Sequence, residues 1–180
     1  AQFVRISRPG VEQRYLHLAE VQVFSGGKNI ATGGAARQSS TYYDAVASRA
    51  IDGNTDGLYA GKSVSHAALS VNPWWEVDLQ NAHPIDRIVI WNRMDSEAIR
   101  RIMPYHITLF DQQRKVIWEQ RREESPNPNQ AIVPKLGNLA IAAAFQSSPT
   151  TGTQASLFVL DEALSLEANA RLEITLGEER

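Results

Sequence analysis

Apolar and polar residues alternate along much of this chain with the two-residue period of a half-buried strand. Residues 3–6 (Phe, Val, Arg, Ile) run up to the turn pair Pro9-Gly10. Residues 15–24 follow, and their second half alternates through Glu20, Val21, Gln22 and Val23 before Ser25-Gly26-Gly27 stops it. Further strands are predicted over 74–79, 86–93, 105–110 and 115–119, with Asp111-Gln112-Gln113 turning the last pair. Residues 25–66 are rich in Gly, Ser, Thr, Asn and Asp and read as a long functional loop region with short helical pieces. The best helix candidate is the Ala-rich stretch 139–145, which would suit a strand equally. Many short strands joined by turn residues predict an all-β fold, an antiparallel β-sandwich.

Ser125-Pro126-Asn127-Pro128-Asn129 has the composition of a linker or long loop. Two more strands are expected at 155–160 and 170–176. The predicted organisation is therefore a sandwich over 1–124, followed by a 125–180 segment of linker or loop plus strands. Those strands either complete the sandwich or begin a neighbouring module. Completion is favoured, because two strands alone are marginally stable. With 180 residues and 43% apolar content the chain can bury a real core. Its 18 basic and 20 acidic residues leave a net charge of −2, which provides no field for nucleic acid or an anionic membrane surface. No apolar run approaches the roughly 18 residues of a membrane span, so membrane insertion is not expected. The absence of cysteine excludes disulfides, thiolate zinc sites and cysteine nucleophiles. The opening residues Ala1 to Arg5 read as the inside of a strand, and the chain is expected to be part of a longer or processed protein.

Three polar groups stand out by their spacing. His66 lies before the tryptophan pair Trp74-Trp75, Arg93 and Asp95 end an apolar strand, and Arg100 follows. The pattern is His, 26 residues, Arg, one residue, Asp, four residues, Arg. Around it stand Gly27-Lys28-Asn29-Ile30-Ala31, Gln38-Ser39-Ser40, Ala50-Ile51-Asp52-Gly53-Asn54 and Asn72-Pro73-Trp74-Trp75-Glu76-Val77-Asp78-Leu79. Together these resemble the F-type lectins (fucolectins), whose sugar-binding signature is H-x26-R-x-D-x4-R/K, over residues 3–110. The resemblance implies a jelly-roll sandwich of the discoidin or galactose-binding-like group. It also implies a non-catalytic domain that binds L-fucose on fucosylated glycans.

The chemistry suits those residue types. Arg93 and Arg100 offer fixed forks of donors, and their bonds to neutral hydroxyls are charge-assisted. His66 is expected to donate one further bond, and Asp95 to brace an arginine. The resemblance assigns the axial hydroxyl and ring oxygen of L-fucose to His66, Arg93 and Arg100, and part of an apolar wall for the C6 methyl to Tyr59. Two departures from the family stand out. Ser96-Glu97-Ala98-Ile99 occupies the segment where relatives often carry two adjacent cysteines, and Ala60 stands where a second aromatic is common.

The same resemblance implies a structural calcium ion. Asp52 matches the loop aspartate, Arg49 and Asn54 match carbonyl donors, and Ser63 matches a further ligand. The carboxylate that relatives carry near their C-terminus in a Leu-x-x-Glu-Val pattern is matched here by Glu20, with the Ala19 carbonyl beside it. That order implies a circular rearrangement. The loop fails the EF-hand pattern, since its twelfth position is Ser63. A plain turn at Asp52-Gly53-Asn54 is the alternative.

His17, His83 and His106 lack zinc spacing, and nothing pairs Asp78 with Asp86 as acid and base. Trp91 and Trp118 are core candidates, as is one of Trp74 and Trp75. The leading expectation is a fucose-binding module of a larger multidomain protein that is secreted or cell-surface and bacterial. A discoidin-like adhesion or spacer domain is the alternative. A glycosidase would need two carboxylates at the sugar; only Asp95 and Glu97 lie near, and Asp95 is committed to an arginine.

Overall fold

The computed structural model describes residues 1–135. Residues 1–134 form one compact unit. The helix candidate at 139–145 and the strands expected at 155–160 and 170–176 lie outside the described residues.

The strands are β1 (Phe3–Ser7), β2 (Gln13–Leu18), β3 (Glu20–Ser25), β4 (Lys28–Asn29), β5 (Ala35–Gln38), β6 (Ser65–Val71), β7 (Trp74–Asp78), β8 (Arg87–Trp91), β9 (Tyr105–Phe110), β10 (Val116–Arg122) and β11 (Asn129–Ile132). One sheet has the order β10-β9-β1-β7-β5 and another β11-β8-β3-β4, while β2 and β6 form a separate pair. All pairings are antiparallel. This is the all-β sandwich that the alternating pattern predicts.

Period-2 alternation separates core from surface. Val4 pairs with Val77 and Leu109, and Ile6 with Trp75 and Ile107, so these residues share one face of the five-stranded sheet and are buried. Arg5, opposite Glu76 and Thr108, takes the other face. In the four-stranded sheet, Val21 and Val23 sit opposite Ile90 and Ile88, and Ile132 adds to the same buried row. Trp75 is fully buried and donates from its indole nitrogen to the Ala47 carbonyl at 3.0 Å, which ties the loop region to the core.

Several sequence expectations need correction. The run 15–24 is two strands in different sheets, broken at Ala19: β2 pairs with β6, and β3 pairs with β8. Residues 25–66 contain the strands β4 and β5 besides three short 3-10 helices. The Pro/Asn stretch leads straight into β11, which pairs with β8. Trp118 is half-buried because β10 is an edge strand. Trp91 is also half-buried, on the face opposite Ile90.

Candidate functional site

His66 and His17 face each other across the β2–β6 ladder. Their rings are 5.3 Å apart. The ladder shifts register between Arg14 and Leu16, where Ala68 and Leu69 of β6 oppose Tyr15 alone, so the extra residue lies on β6. Tyr15 lies two residues from His17 and so shares its strand face, and the Tyr15 ring meets His66 edge-on at 5.3 Å. The loop over 41–46 wraps the other side of His66. Tyr42 N–H donates to the His66 carbonyl at 2.9 Å and His66 N–H donates to Ala45 at 3.0 Å. This brings the Tyr42 ring to 4.9 Å from the imidazole. Tyr59 approaches edge-on from a third side at 5.9 Å.

The imidazole is only 3% exposed. Its Nδ1 lies 2.9 Å from the Ala67 carbonyl. A carbonyl only accepts, so Nδ1 carries the proton and Nε2 presents a lone pair. Burial lowers the His66 pKa, and the charges of Arg93 and Arg101 lower it further, against the Ala67 bond that raises it. With Nδ1 donating to Ala67, a neutral His66 offers Nε2 as an acceptor. His17 behind it is fully buried, and neither ring nitrogen has a partner among the described residues. Burial first, then the neighbouring His66, Arg93 and Arg101, push its pKa down to about 3.

Arg93 stands just past the end of β8. Its Nε donates to Asp95 Oδ2 at 2.6 Å, and its guanidinium lies 4.4 Å over the Tyr59 ring. The same Asp95 oxygen accepts the Tyr59 N–H at 2.9 Å. One carboxylate thus fixes both the cation and the aromatic ring beneath it. Burial raises the Asp95 pKa, but the Arg93 and Tyr59 bonds outweigh this and hold it below its usual value, so it stays ionised. Gly57 closes the corner: its carbonyl accepts the Met94 N–H at 2.8 Å, and a Cβ on it would fall 2.6 Å from Met94 Cγ.

Arg100 and Arg101 both lie on the 3-10 helix Ser96–Ile102 and both are exposed. Arg101, which the motif does not name, lies 5.9 Å over the Tyr15 ring. Spacing alone did not find Tyr15, Tyr42, His17 or Arg101. Two of them share a strand pair with His66, and the only trace in the sequence is the polar pair Tyr15 and His17 within an apolar run.

Around Asp52 the loop descends in three successive side-chain turns. Asp52 Oδ1 accepts from Asn54 N at 2.8 Å, Asn54 Oδ1 from Asp56 N at 3.0 Å, and Asp56 Oδ1 from Leu58 N at 3.0 Å. Gly53 has φ 86°, which favours glycine. Its N–H donates to Glu20 Oε1 at 3.2 Å. Glu20 is fully buried, and its Oε2 has no partner among the described residues. Ser63 Oγ bonds the Asp56 carbonyl, and the Arg49 side chain turns away to Asp44 at 2.9 Å. No group of three His, Asp or Glu side chains converges among the described residues.

A family model described as a NedA-like, galactose-binding domain matches residues 49–134. Fucolectin-6 of Anguilla japonica is 41% identical over 73 residues, covering 38% of this chain and 39% of that protein. Fucolectin of Anguilla anguilla is 38% identical over 73 residues, covering 38% and 46%. The chain thus spans less than half the length of these curated relatives. Among solved structures, a Streptococcus pneumoniae fucose binding module is 30% identical with a TM-score of 0.57, over 61% of this chain and 78% of that one. The lectin domain of Lectinolysin complexed with Lewis B antigen is 31% identical with a TM-score of 0.57, over 59% and 76%. These relatives carry the names of lectins and binding modules, and none that of an enzyme. On this sandwich, and on likeness to structures of which the chain covers more than three quarters, the chain belongs to the F-type lectin (fucolectin) family of discoidin-like β-sandwiches.

Proposed function

We propose that this chain captures L-fucose-type sugars on fucosylated glycans, as a secreted or cell-surface module of a larger protein. The observation that carries this reading is the pairing of a neutral His66 acceptor with an Asp95-braced Arg93 fork across the Tyr59 ring. A hydroxyl that donates to Nε2 and accepts from a guanidinium satisfies both groups at once. The sequence motif adds a second guanidinium from the segment after Asp95, where it names Arg100. The Tyr59 ring provides an apolar wall for a methyl group. A glycan array, with D-galactose as competitor because of the galactose-binding name of the matching model, tests the proposal. Selective capture of fucosylated glycans is expected. Equal capture of unfucosylated ones would overturn it and favour the adhesion or spacer alternative.

Binding should follow the charge of His66. Its pKa lies below 6.5, so affinity should hold from neutral pH down through 6.5 and fall only further into acid. A fucose titration repeated across pH checks this; loss of affinity already at the ordinary histidine value would contradict the neutral-acceptor role.

Calcium is the second half of the proposal. Among the described residues Glu20 Oε2 is a buried carboxylate oxygen without a partner, beside the exposed Asp52, and such an oxygen suits a hard cation. Glu20 and Asp52 would hold the ion with carbonyl oxygens of Ala19, Arg49 and Asn54, and Ser63 would add a further oxygen. The ion would supply positive charge that ties β3 to the loop leading towards Tyr59 and His66.

The pKa of Glu20 gives the test. Burial raises it from 4.5 to about 7; the Asp52 charge adds to this and the Gly53 N–H opposes it. Between those values the folded chain holds a proton that the unfolded chain has lost. Without a cation, stability therefore falls as pH rises through that window. At pH above 7, calcium should raise the Tm of the native chain and leave Glu20→Gln unmoved. In chelator, Glu20→Gln should melt about 3–5 °C above the native chain. Identical melting with calcium and with chelator would exclude the ion.

A further inference from the structure

We infer that Arg101, rather than the Arg100 named by the spacing motif, supplies the second guanidinium to the sugar pocket. The inference rests on the fucose-binding reading above and changes which residue completes it.

The segment that carries both arginines is a 3-10 helix, Ser96–Ile102. Such a helix has three residues per turn, so residues three apart share a face. Glu97 and Arg100 therefore share one face, and both are exposed. Ala98 and Arg101 share another, and Ala98 is buried against the protein. The third face carries Ile99 and the fully buried Ile102. Both arginines are exposed; the phase of the helix places Arg100 on the face of the exposed Glu97 and Arg101 on the face of the buried Ala98.

Two anchors fix that phase. Asn92 Nδ2, next to Arg93, donates to the Ile99 carbonyl at 2.8 Å. At the far end the buried Arg8 donates to the Met103 carbonyl at 2.5 Å, to Pro104 at 3.2 Å and to the Tyr15 carbonyl at 3.0 Å. Arg8 therefore binds the exit of the helix to β2 at Tyr15, and Arg101 lies between the two anchors. Its guanidinium stands 5.9 Å over the Tyr15 ring.

The result is a nearly symmetric frame. His66 has Tyr15 on one side and Tyr59 on another, each ring edge-on to the imidazole. Each tyrosine carries an arginine over its face, Arg101 on Tyr15 and Arg93 on Tyr59. Among the described residues Asp95 pairs with Arg93, whereas Arg101 has no carboxylate partner. Arg101 thus keeps its fork of donors for a ligand seated over Nε2. Both charges also lower the His66 pKa, which agrees with the two guanidiniums flanking the same ring.

The experiment compares Arg101→Ala, Arg101→Lys and Arg100→Ala by calorimetric titration with L-fucose, with melting curves as a check on folding. Arg101→Ala should weaken binding about tenfold or more, Arg101→Lys should fall between it and the native chain, and Arg100→Ala should change affinity by less than about threefold. The opposite order would overturn the inference and restore Arg100. A second readout needs no sugar. The imidazole is faced by His17, Tyr15, Tyr42, Tyr59, Arg93 and Arg101, so its NMR titration midpoint reports which charges stand nearby. Arg101→Ala should raise that midpoint and Arg100→Ala should leave it unchanged. If the native chain bound no L-fucose, the functional reading would fail. A raised midpoint would then still support Arg101 at the pocket, and an unmoved one would remove it.

Discussion

Arg93→Ala should abolish measurable L-fucose binding while leaving the melting temperature nearly unchanged. The guanidinium is held before any ligand arrives, by Asp95 Oδ2 at 2.6 Å and by the Tyr59 ring at 4.4 Å. Little entropy remains to be lost on binding, so its bonds to sugar hydroxyls act near full strength. Two charge-assisted bonds at about 1.5–3 kcal/mol each imply a loss of about 100-fold or more. Arg93→Lys keeps the charge but loses the planar fork and the Nε bond to Asp95, so it should recover only part of the affinity. Stability changes little because the Arg93–Asp95 pair is partly exposed, with side-chain exposures of 15% and 29%, and such pairs contribute about 1 kcal/mol or less. Calorimetry together with melting curves separates the two effects. Retained affinity in Arg93→Ala would remove this residue from the site.

The contrast between Arg93 and Arg101 shows which part of the site spacing can carry. Arg93 and Asp95 follow directly from the end of an apolar strand, and a strand end is legible from period-2 alternation. The four residues after Asp95 set no such frame. Whether a residue there faces the pocket depends on a 3-10 phase fixed by Asn92 and by Arg8, and Arg8 lies more than 80 positions away. The strand faces were legible for the same reason as Arg93: Val4, Ile6, Val21 and Val23 alternate with Arg5 and Gln22. The break at Ala19 was not, because 15–24 is apolar across it and nothing local says that Leu18 and Glu20 join different sheets. The tyrosine cage around His66 was equally hidden, since it assembles from β2, the 41–46 loop and the turn at Tyr59. Tyr42 and Tyr59 reach His66 from outside the strands, where no periodic pattern places them.

Glu76→Gln should have the reverse signature, a large loss of stability with fucose affinity intact below the melting transition. Glu76 lies on the outward face of the five-stranded sheet, yet its side chain is fully buried under arginines. Arg5 reaches Oε2 at 2.8 Å, Arg37 reaches Oε1 at 2.7 Å, and Arg114 spans both oxygens at 2.8 and 2.9 Å. The cations also stack on aromatic rings, Arg5 at 4.8 Å from Trp74 and Arg114 at 3.5 Å from Phe3. One carboxylate thereby joins β1, β5, β7 and the β9–β10 turn. Removing its charge leaves three guanidiniums facing a neutral amide, and breaking a buried pair of this kind costs about 3–5 kcal/mol. The expected fall in Tm is about 10–20 °C. The pH dependence gives a second check. Burial raises the Glu76 pKa, but the Arg114 and Arg37 bonds and the Arg5 charge outweigh it, and the net value lies below 4.5. A lowered carboxylate gives stability that is present above the unfolded value and lost as pH falls through the folded one. The native chain should therefore lose this contribution below pH 4.5, and Glu76→Gln should not. His17 adds a separate acid loss between 6.5 and about 3 that both proteins share, so the difference between their curves isolates Glu76. Parallel acid curves, or a Tm shift of only a few degrees, would mean that the three arginines find other partners when the carboxylate is gone.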